Sequence, residues 1–274
     1  MTIAIILIFI VGLAFLFYPA FSDYYNSKTQ SRAVASYNEA VNKMSEQDLS
    51  MFWDAAYLYN SRLDNKLDRF IFSDEDLQEY NSLLNITTGG IMGTLEIEVI
   101  NVKLSIYHGT SEGVLQIGTG HFEGSSLPVG GPGSHSVITG HRGLPSAALL
   151  TNLDRMEIGD TFALHVLNES IWYQVDQITV VEPTDLSELD IMPDMDLCTL
   201  VTCTPLGVNS HRLLVRGHRV DGPDAAKPIR TVIRTEAGRI KVIMPILFIV
   251  LPITVVVAII WLVRLNRRLG KIDR

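Results

Sequence analysis

The sequence predicts a mainly β domain closed into a barrel, with helices before it and a membrane span at each end. Three observations carry this. From residue 94 to residue 220, short runs rich in Ile, Val, Thr and Leu recur between turn signals. No long amphipathic helical pattern separates them, which favours an antiparallel sandwich or closed barrel over βαβ units, and of the two the barrel is preferred. The two ends, by contrast, are apolar over lengths that match a bilayer.

Ile3 to Phe21 is apolar apart from Gly12, Tyr18 and Pro19. It lacks a basic start, and around Pro19-Ala20-Phe21-Ser22 it lacks a small-x-small cleavage site, so it reads as an uncleaved anchor, with a cleaved signal as the alternative. From Ser31, the positions Val34, Tyr37, Val41 and Met44 form the stripe of an amphipathic helix. Ser45 with Asp48 then forms a capping box for a second helix, which buries Leu49, Phe52, Trp53, Ala56 and Leu63. Ser73 with Asp76 caps a third, with Leu77, Tyr80, Leu83 and Leu84 as its apolar side. Between the last two, periodicity fails while Leu67, Phe70, Ile71 and Phe72 keep the segment too apolar for an ordinary connector.

Gly89-Gly90 ends the helical region. Strands are expected at Thr94 to Ile100, Val102 to Ile106, Ser136 to Thr139, Thr161 to Leu167, Ile171 to Val181, Asp196 to Thr202 and Arg212 to Val220, with a further one near Val114 to Ile117. Asn168-Glu169-Ser170 turns one hairpin. Val242 to Val263 is uncharged and reads as a second span; Arg264, Arg267, Arg268, Lys271 and Arg274 follow it. By the positive-inside rule this tail is cytoplasmic, and two spans place the intervening domain outside. The domain plan is therefore an anchor or signal at 1–22, a helical region at 23–88, a β-barrel at 89–222, a linker at 223–241, a transmembrane helix at 242–263 and a basic tail at 264–274. The net charge of −8, with its basic excess in that tail, leaves the middle strongly acidic and argues against nucleic acid as a partner.

The chemistry centres on Thr199-Leu200-Val201-Thr202-Cys203, where Pro205 stops a strand just past the thiol. Arg212 opens the next strand, across a hairpin formed by Thr204 to Ser210. The other cysteine, Cys198, is no disulfide partner: five residues of one strand separate the Cα atoms by ~16 Å, whereas a bridge needs ~7 Å or less. It reads as a small buried apolar residue, which leaves Cys203 free. An ordinary thiol is only ~3% ionised at pH 7, so a nucleophilic cysteine needs a cation or an imidazole nearby. Arg212 supplies fixed donors that favour a thiolate or hold an oxyanion. Among seven histidines, His141 stands apart, because it follows the apolar strand Ser136-Val137-Ile138-Thr139 and lies between Gly140 and Gly143. His108, His121, His135, His165, His211 and His218 read as exposed or hydrogen-bonded structural residues.

Thr139-Gly140-His141, the TLVTC run ending at Cys203, and His211-Arg212, in this order, resemble the sortases, membrane-bound cysteine transpeptidases of Gram-positive bacteria. Gly90-Ile91-Met92-Gly93, Ile106-Tyr107-His108-Gly109-Thr110 and the two spans resemble class C, the pilus-building group. The resemblance covers Gly89 to Val220. It implies an eight-stranded barrel with Cys203 as nucleophile, His141 as acid and base, and Arg212 as the substrate-orienting or oxyanion-stabilising group. It also implies cleavage of a Leu-Pro-x-Thr-Gly-type sorting signal between Thr and Gly, and transfer of the acyl group from a thioester to a pilin lysine, without a cofactor. Other readings are anchoring of single proteins to cell-wall peptide, a non-catalytic pilus scaffold, and a plain cysteine peptidase. Class C sortases further resemble one another in an Asp-Pro-aromatic lid; here Asp68-Arg69-Phe70 stands in that place, with arginine where proline is expected. Asp68 and Phe70 are then the lid anchors, with Asp64 or Phe72 as substitutes, and simple packing of Phe70 against the barrel as the competing reading.

Overall fold

The protein is described by a computed structural model covering residues 2–63, 69–87 and 89–222. The second span and basic tail expected at 242–274 lie outside the described residues.

Helix α1 runs from Thr2 to Asn42 without a break, so the apolar run and the amphipathic stripe that follows it are one rod. Its outer half docks on the barrel through buried Val34, Tyr37 and Val41. Helices α2 (Glu46–Arg62) and α3 (Asp74–Ser82) begin with the reciprocal capping boxes of Ser45 with Asp48 and Ser73 with Asp76. Each box satisfies backbone donors that would otherwise be orphaned, which fixes where the chain turns into helix. Trp53, Ala56 and Tyr59 of α2, with Tyr80 and Leu84, join one core with the barrel interior.

Eight strands follow: β1 (Ile91–Ile97), β2 (Val102–His108), β3 (Thr119–His121), β4 (Ser134–Gly140), β5 (Thr161–Val166), β6 (Glu169–Val181), β7 (Asp196–Thr204) and β8 (His211–Val220). They close in the order β1-β2-β3-β4-β7-β8-β6-β5. Two expectations are corrected. The sheet is mixed, because β2–β3 and β4–β7 pair in parallel. The run near Val114 is a short helix, α4 (Glu112–Ile117), because the Ser111 side chain accepts from the Val114 N–H and caps it. The remaining strand is Thr119–His121, and three residues are too few to show a period.

The interior is filled by Phe162 stacked on Tyr173 at 5.5 Å together with Leu95, Ile106, Ile138, Leu200 and Val215. Burying each such side chain contributes roughly 1.5–3 kcal/mol. The barrel closes between β1 and β5 over three residue pairs, Thr94 with His165, Leu95 with Leu164 and Glu96 with Ala163. Gly93 lies beside this seam because a Cβ there would come within 2.8 Å of the His165 carbonyl oxygen. Tyr37 straddles it from outside, donating to Met92 O at 2.9 Å and accepting from Leu167 N–H at 2.8 Å.

Candidate active site

Strands β7 and β8 pair Cys203 directly with Arg212, at the end where β7 stops before Pro205. Side chains alternate along a strand, so Thr202 points inward while Cys203 faces the cleft side. Buried Thr202 donates from Oγ1 to Gly140 O at 2.8 Å. That bond ties the end of β7 to the end of parallel β4, and His141 is the next residue of the chain. The parallel register and this side-chain clamp bring residues 62 positions apart, Gly140 and Thr202, into contact.

Cys203, His141 and Arg212 line one cleft of about 310 Å³. Its apolar wall includes Phe122, Val137, Leu189, Val201 and Leu214. Both cysteines are free, and Cys203 is half-buried. Cys198 is fully buried, and burial, reinforced by the Asp196 carboxylate, pushes its thiol well above the ordinary range. Only Cys203 has both access and polar neighbours.

Leu150 N–H bonds His141 O at 3.1 Å and fixes the turn that presents the imidazole. Gly143 takes a left-handed conformation, φ +74°, that turns the chain back after it. His141 Nε2 lies 3.4 Å from Glu112 Oε1 at the start of α4. A hydrogen bond from Gln116, followed by the imidazole, holds the Glu112 carboxyl below its usual range. Arg142 points the other way, pairing with Asp154 and donating to Thr204 Oγ1 at 3.5 Å. Arg212 Nη1 donates to His211 O at 3.1 Å and Asn209 O at 3.3 Å, so the guanidinium also braces the β7–β8 loop.

The other six histidines have structural partners. His121 and His135 are fully buried and hydrogen-bonded, and burial lowers each to about 4. His108 faces the carbonyls of Gly90 and Leu83, His165 meets Glu96, His211 meets Glu182 and His218 meets Asp176.

Of the expected lid anchors, Asp68 and its substitute Asp64 lie outside the described residues. Phe70 packs on Phe122 with ring centroids 5.4 Å apart, touching a residue of the cleft wall. Phe72 lies instead near Tyr80, at 6.3 Å. Arg69, where a proline was expected, has a purposeful setting. Its side chain is 3% exposed, donates to Leu189 O at 2.8 Å and Asp190 Oδ1 at 3.3 Å, and lies 4.7 Å over the Phe70 ring. Sequence reasoning singled out neither Arg69 as an anchor nor Glu112, Arg142 and Phe122 as neighbours of the site. Glu112 had one legible signal, its place in the first turn after a serine cap; the rest depend on contacts between distant segments. Among the described residues, no group of three or more His, Cys, Asp or Glu is arranged to hold a metal ion.

The sortase-domain family profile matches residues 95–220, which contain the whole site. Sortase D of Bacillus subtilis (strain 168) is 29% identical over 136 residues, covering 48% of this chain and 66% of that protein. The crystal structure of sortase C1 from Streptococcus agalactiae is 48% identical, with a TM-score of 0.67 over 70% of this chain and 99% of that one. Sortase C of Streptococcus pneumoniae is 42% identical, with a TM-score of 0.62 over 70% of this chain and 97% of that one. With a closed eight-stranded barrel, a thiol at the end of β7 and these similarities, the chain belongs to the sortase family of cysteine transpeptidases, and to its class C branch.

Proposed function

We propose that the protein is a membrane-anchored transpeptidase that polymerises pilin subunits, with Cys203 as nucleophile, His141 as acid and base and Arg212 as the oxyanion-stabilising or substrate-orienting group. The observation that carries this reading is the convergence of these three side chains on one cleft with an apolar wall, at a strand end. The thiolate of Cys203 attacks the threonine carbonyl of a Leu-Pro-x-Thr-Gly-type signal, and the planar guanidinium meets the charge developing on oxygen. His141 protonates the departing glycine amine as the C–N bond breaks. The thioester keeps the acyl group activated, so a lysine amine of another subunit displaces the thiolate, giving its proton to His141, without ATP. The pilin substrates named for the S. pneumoniae relative and the pilus island named for a further sortase C1 support a pilin, rather than a wall peptide, as acceptor.

The apolar half of α1 supports anchoring, since Ile6–Asn42 contains a window of mean hydropathy 2.0. With the basic tail at 264–274 inside, the barrel faces outward. The docking of Arg69 and Phe70 against the cleft wall supports a lid in this segment, with Phe70 and Asp68 as its anchors.

Mass spectrometry after mixing the full chain with a sorting-signal peptide and a lysine-bearing acceptor tests the reading. It expects an acyl adduct on Cys203 that gives way to an isopeptide product. An adduct on Cys198, or hydrolysis only in the presence of excess acceptor, overturns it.

A further inference from the structure

Helix α1 touches the barrel through a ladder of polar contacts. Asp23 Oδ1 accepts from Ala148 N–H at 2.8 Å, and Asn26 Nδ2 donates to Ser146 O at 2.6 Å. Higher up, Gln30 Oε1 accepts from Ser105 N–H at 3.1 Å, and Tyr37 reaches Met92 and Leu167. At 1.5 Å per residue, Asp23 and Tyr37 are ~21 Å apart along the rod, so the ladder gives the barrel a direction. The apolar run ends at Phe21, only ~3 Å along the helix below Asp23. Exposed Tyr24 and Tyr25 stand at the same level, where aromatic side chains mark a membrane interface. Pro19 lies below every contact, so a bend there tilts the span without changing the order of the ladder.

The first rung holds the loop that leaves His141, and the last holds the turn where β6 begins. The catalytic end of the barrel is therefore its lipid-proximal end. At that end Leu206 and Val208, in the β7–β8 loop, are 52% and 69% exposed. They are contiguous with the clamped loop, since a Cβ on Gly143 would lie 2.5 Å from Leu206 Cδ1. Neither lines the cleft. Residues 141–153 and 204–220 contain no Asp or Glu, in a chain of net charge −8. The basic groups beside it are paired, Arg142 with Asp154 and His211 with Glu182, so it is the uncharged, apolar-tipped loop itself that suits a bilayer surface.

We infer that Leu206 and Val208 rest in the lipid interface, so that the Cys203 cleft works at headgroup level. This rests on the reading of α1 as a membrane span. A substrate still held in the membrane by an apolar segment beyond its sorting signal would then meet the thiol without leaving the bilayer, whereas a site held high above it would require extraction.

The test uses full-length Cys203→Ala protein in phosphatidylcholine–phosphatidylglycerol vesicles, with a nitroxide label at Val208→Cys, Val11→Cys or Glu169→Cys in turn. Collision rates with oxygen and with a water-soluble nickel chelate report depth. Nickel collisions at position 208 should be several-fold lower than at 169, the lipid-distal turn, and oxygen collisions higher, with position 11 deeper still. A water-like signal at 208 beside a lipid-like signal at 11 overturns the inference while leaving the span intact; water-like signals at both overturn the span as well. Separately, the double variant Leu206→Asn with Val208→Asn should turn over a soluble peptide within about twofold of the parent. A tenfold loss there would make the loop a peptide-binding rim and overturn the lipid contact.

Discussion

Lowering the pH from 6.5 to 4.5 should strip the barrel of much of its stability through two histidines remote from catalysis. His121 donates from Nε2 to Ser126 O at 2.8 Å and accepts at Nδ1 from the Tyr80 hydroxyl at 3.0 Å. His135 donates from Nδ1 to Asp190 O at 2.9 Å and accepts at Nε2 from the Thr199 hydroxyl at 2.7 Å. Each ring is complete as the neutral imidazole, and burial lowers each to about 4. The unfolded chain titrates near 6.5, so between these values it binds protons that the folded protein refuses. The stabilisation is therefore whole above pH 6.5 and drains as pH falls toward 4. At pH 4.5 the loss is about 2.5 kcal/mol for each histidine, about 5 together, which is comparable with the whole stability of many domains. Depressed carboxylates such as Glu96 lose their contribution below the pH 5–6 window, whereas Asp196, raised by burial, acts with the opposite sign and subtracts from the histidine slope. Urea unfolding of the full chain in detergent, followed by tryptophan fluorescence, should show stability falling by roughly 2.3 kcal/mol across that unit, the uptake of about 1.7 protons. His121→Gln or His135→Gln should halve the slope. A slope below half a proton in the parent would mean that these rings are charged or hydrated in the fold, and would refute the argument.

The remaining predictions concern the site. Cys203→Ala should abolish acyl transfer and leave the fold intact, whereas Cys198→Ala should keep activity and lose roughly 1 kcal/mol of stability, read by product mass and by urea midpoint. His141→Ala should lower peptide turnover by about 10²–10⁴-fold, far more than any other histidine change in a folded variant, as initial rates will show. Arg212→Lys keeps the charge but loses the fork of donors, so turnover should fall about 10²-fold or more, while Arg216→Ala, which removes a pair with Asp176 at 3.0 Å, should be mild at the chemical step. Arg69→Ala removes a buried charged donor worth roughly 1.5–3 kcal/mol, so the segment holding Phe70 should open about ten- to hundred-fold more often; hydrogen exchange at residues 69–72 and 187–190 should speed up together, and unchanged exchange would make Phe70 ordinary packing.

How much of this was legible depended on the range of the interactions. The capping boxes at Ser45 and Ser73, the β7–β8 hairpin and the membrane-length run of α1 are set by neighbours within a few residues, and each appeared where the sequence indicated. The Cys203–Arg212 pair followed from hairpin register alone. What escaped was non-local. Nothing near His121 announces that its ring will meet Tyr80, and nothing near Arg69 announces Leu189. The parallel β4–β7 pairing brings His141 toward the thiol across a long crossover, which local periodicity does not encode. Strand β3 was too short to announce itself, and the apolar residues of α4 imitated a strand because the serine cap before them went unread.

The clasp made by Tyr37 has a consequence for how the chain reaches its final form. The β1–β5 seam joins strands far apart in sequence, and the clasp spans still more, since Tyr37 and Leu167 are 130 positions apart. Tyr37 is made early during synthesis, but its hydroxyl has no second partner until β5 has been delivered and turned into β6. Loop-closure entropy delays such contacts relative to hairpins like β7–β8. Until that seam closes, β1 and β5 are the two bare edges of the sheet, the parts most exposed to wrong pairing with another chain. The docking of α1 on the barrel shortens that interval, because it holds the tyrosine close to the edge it must fasten.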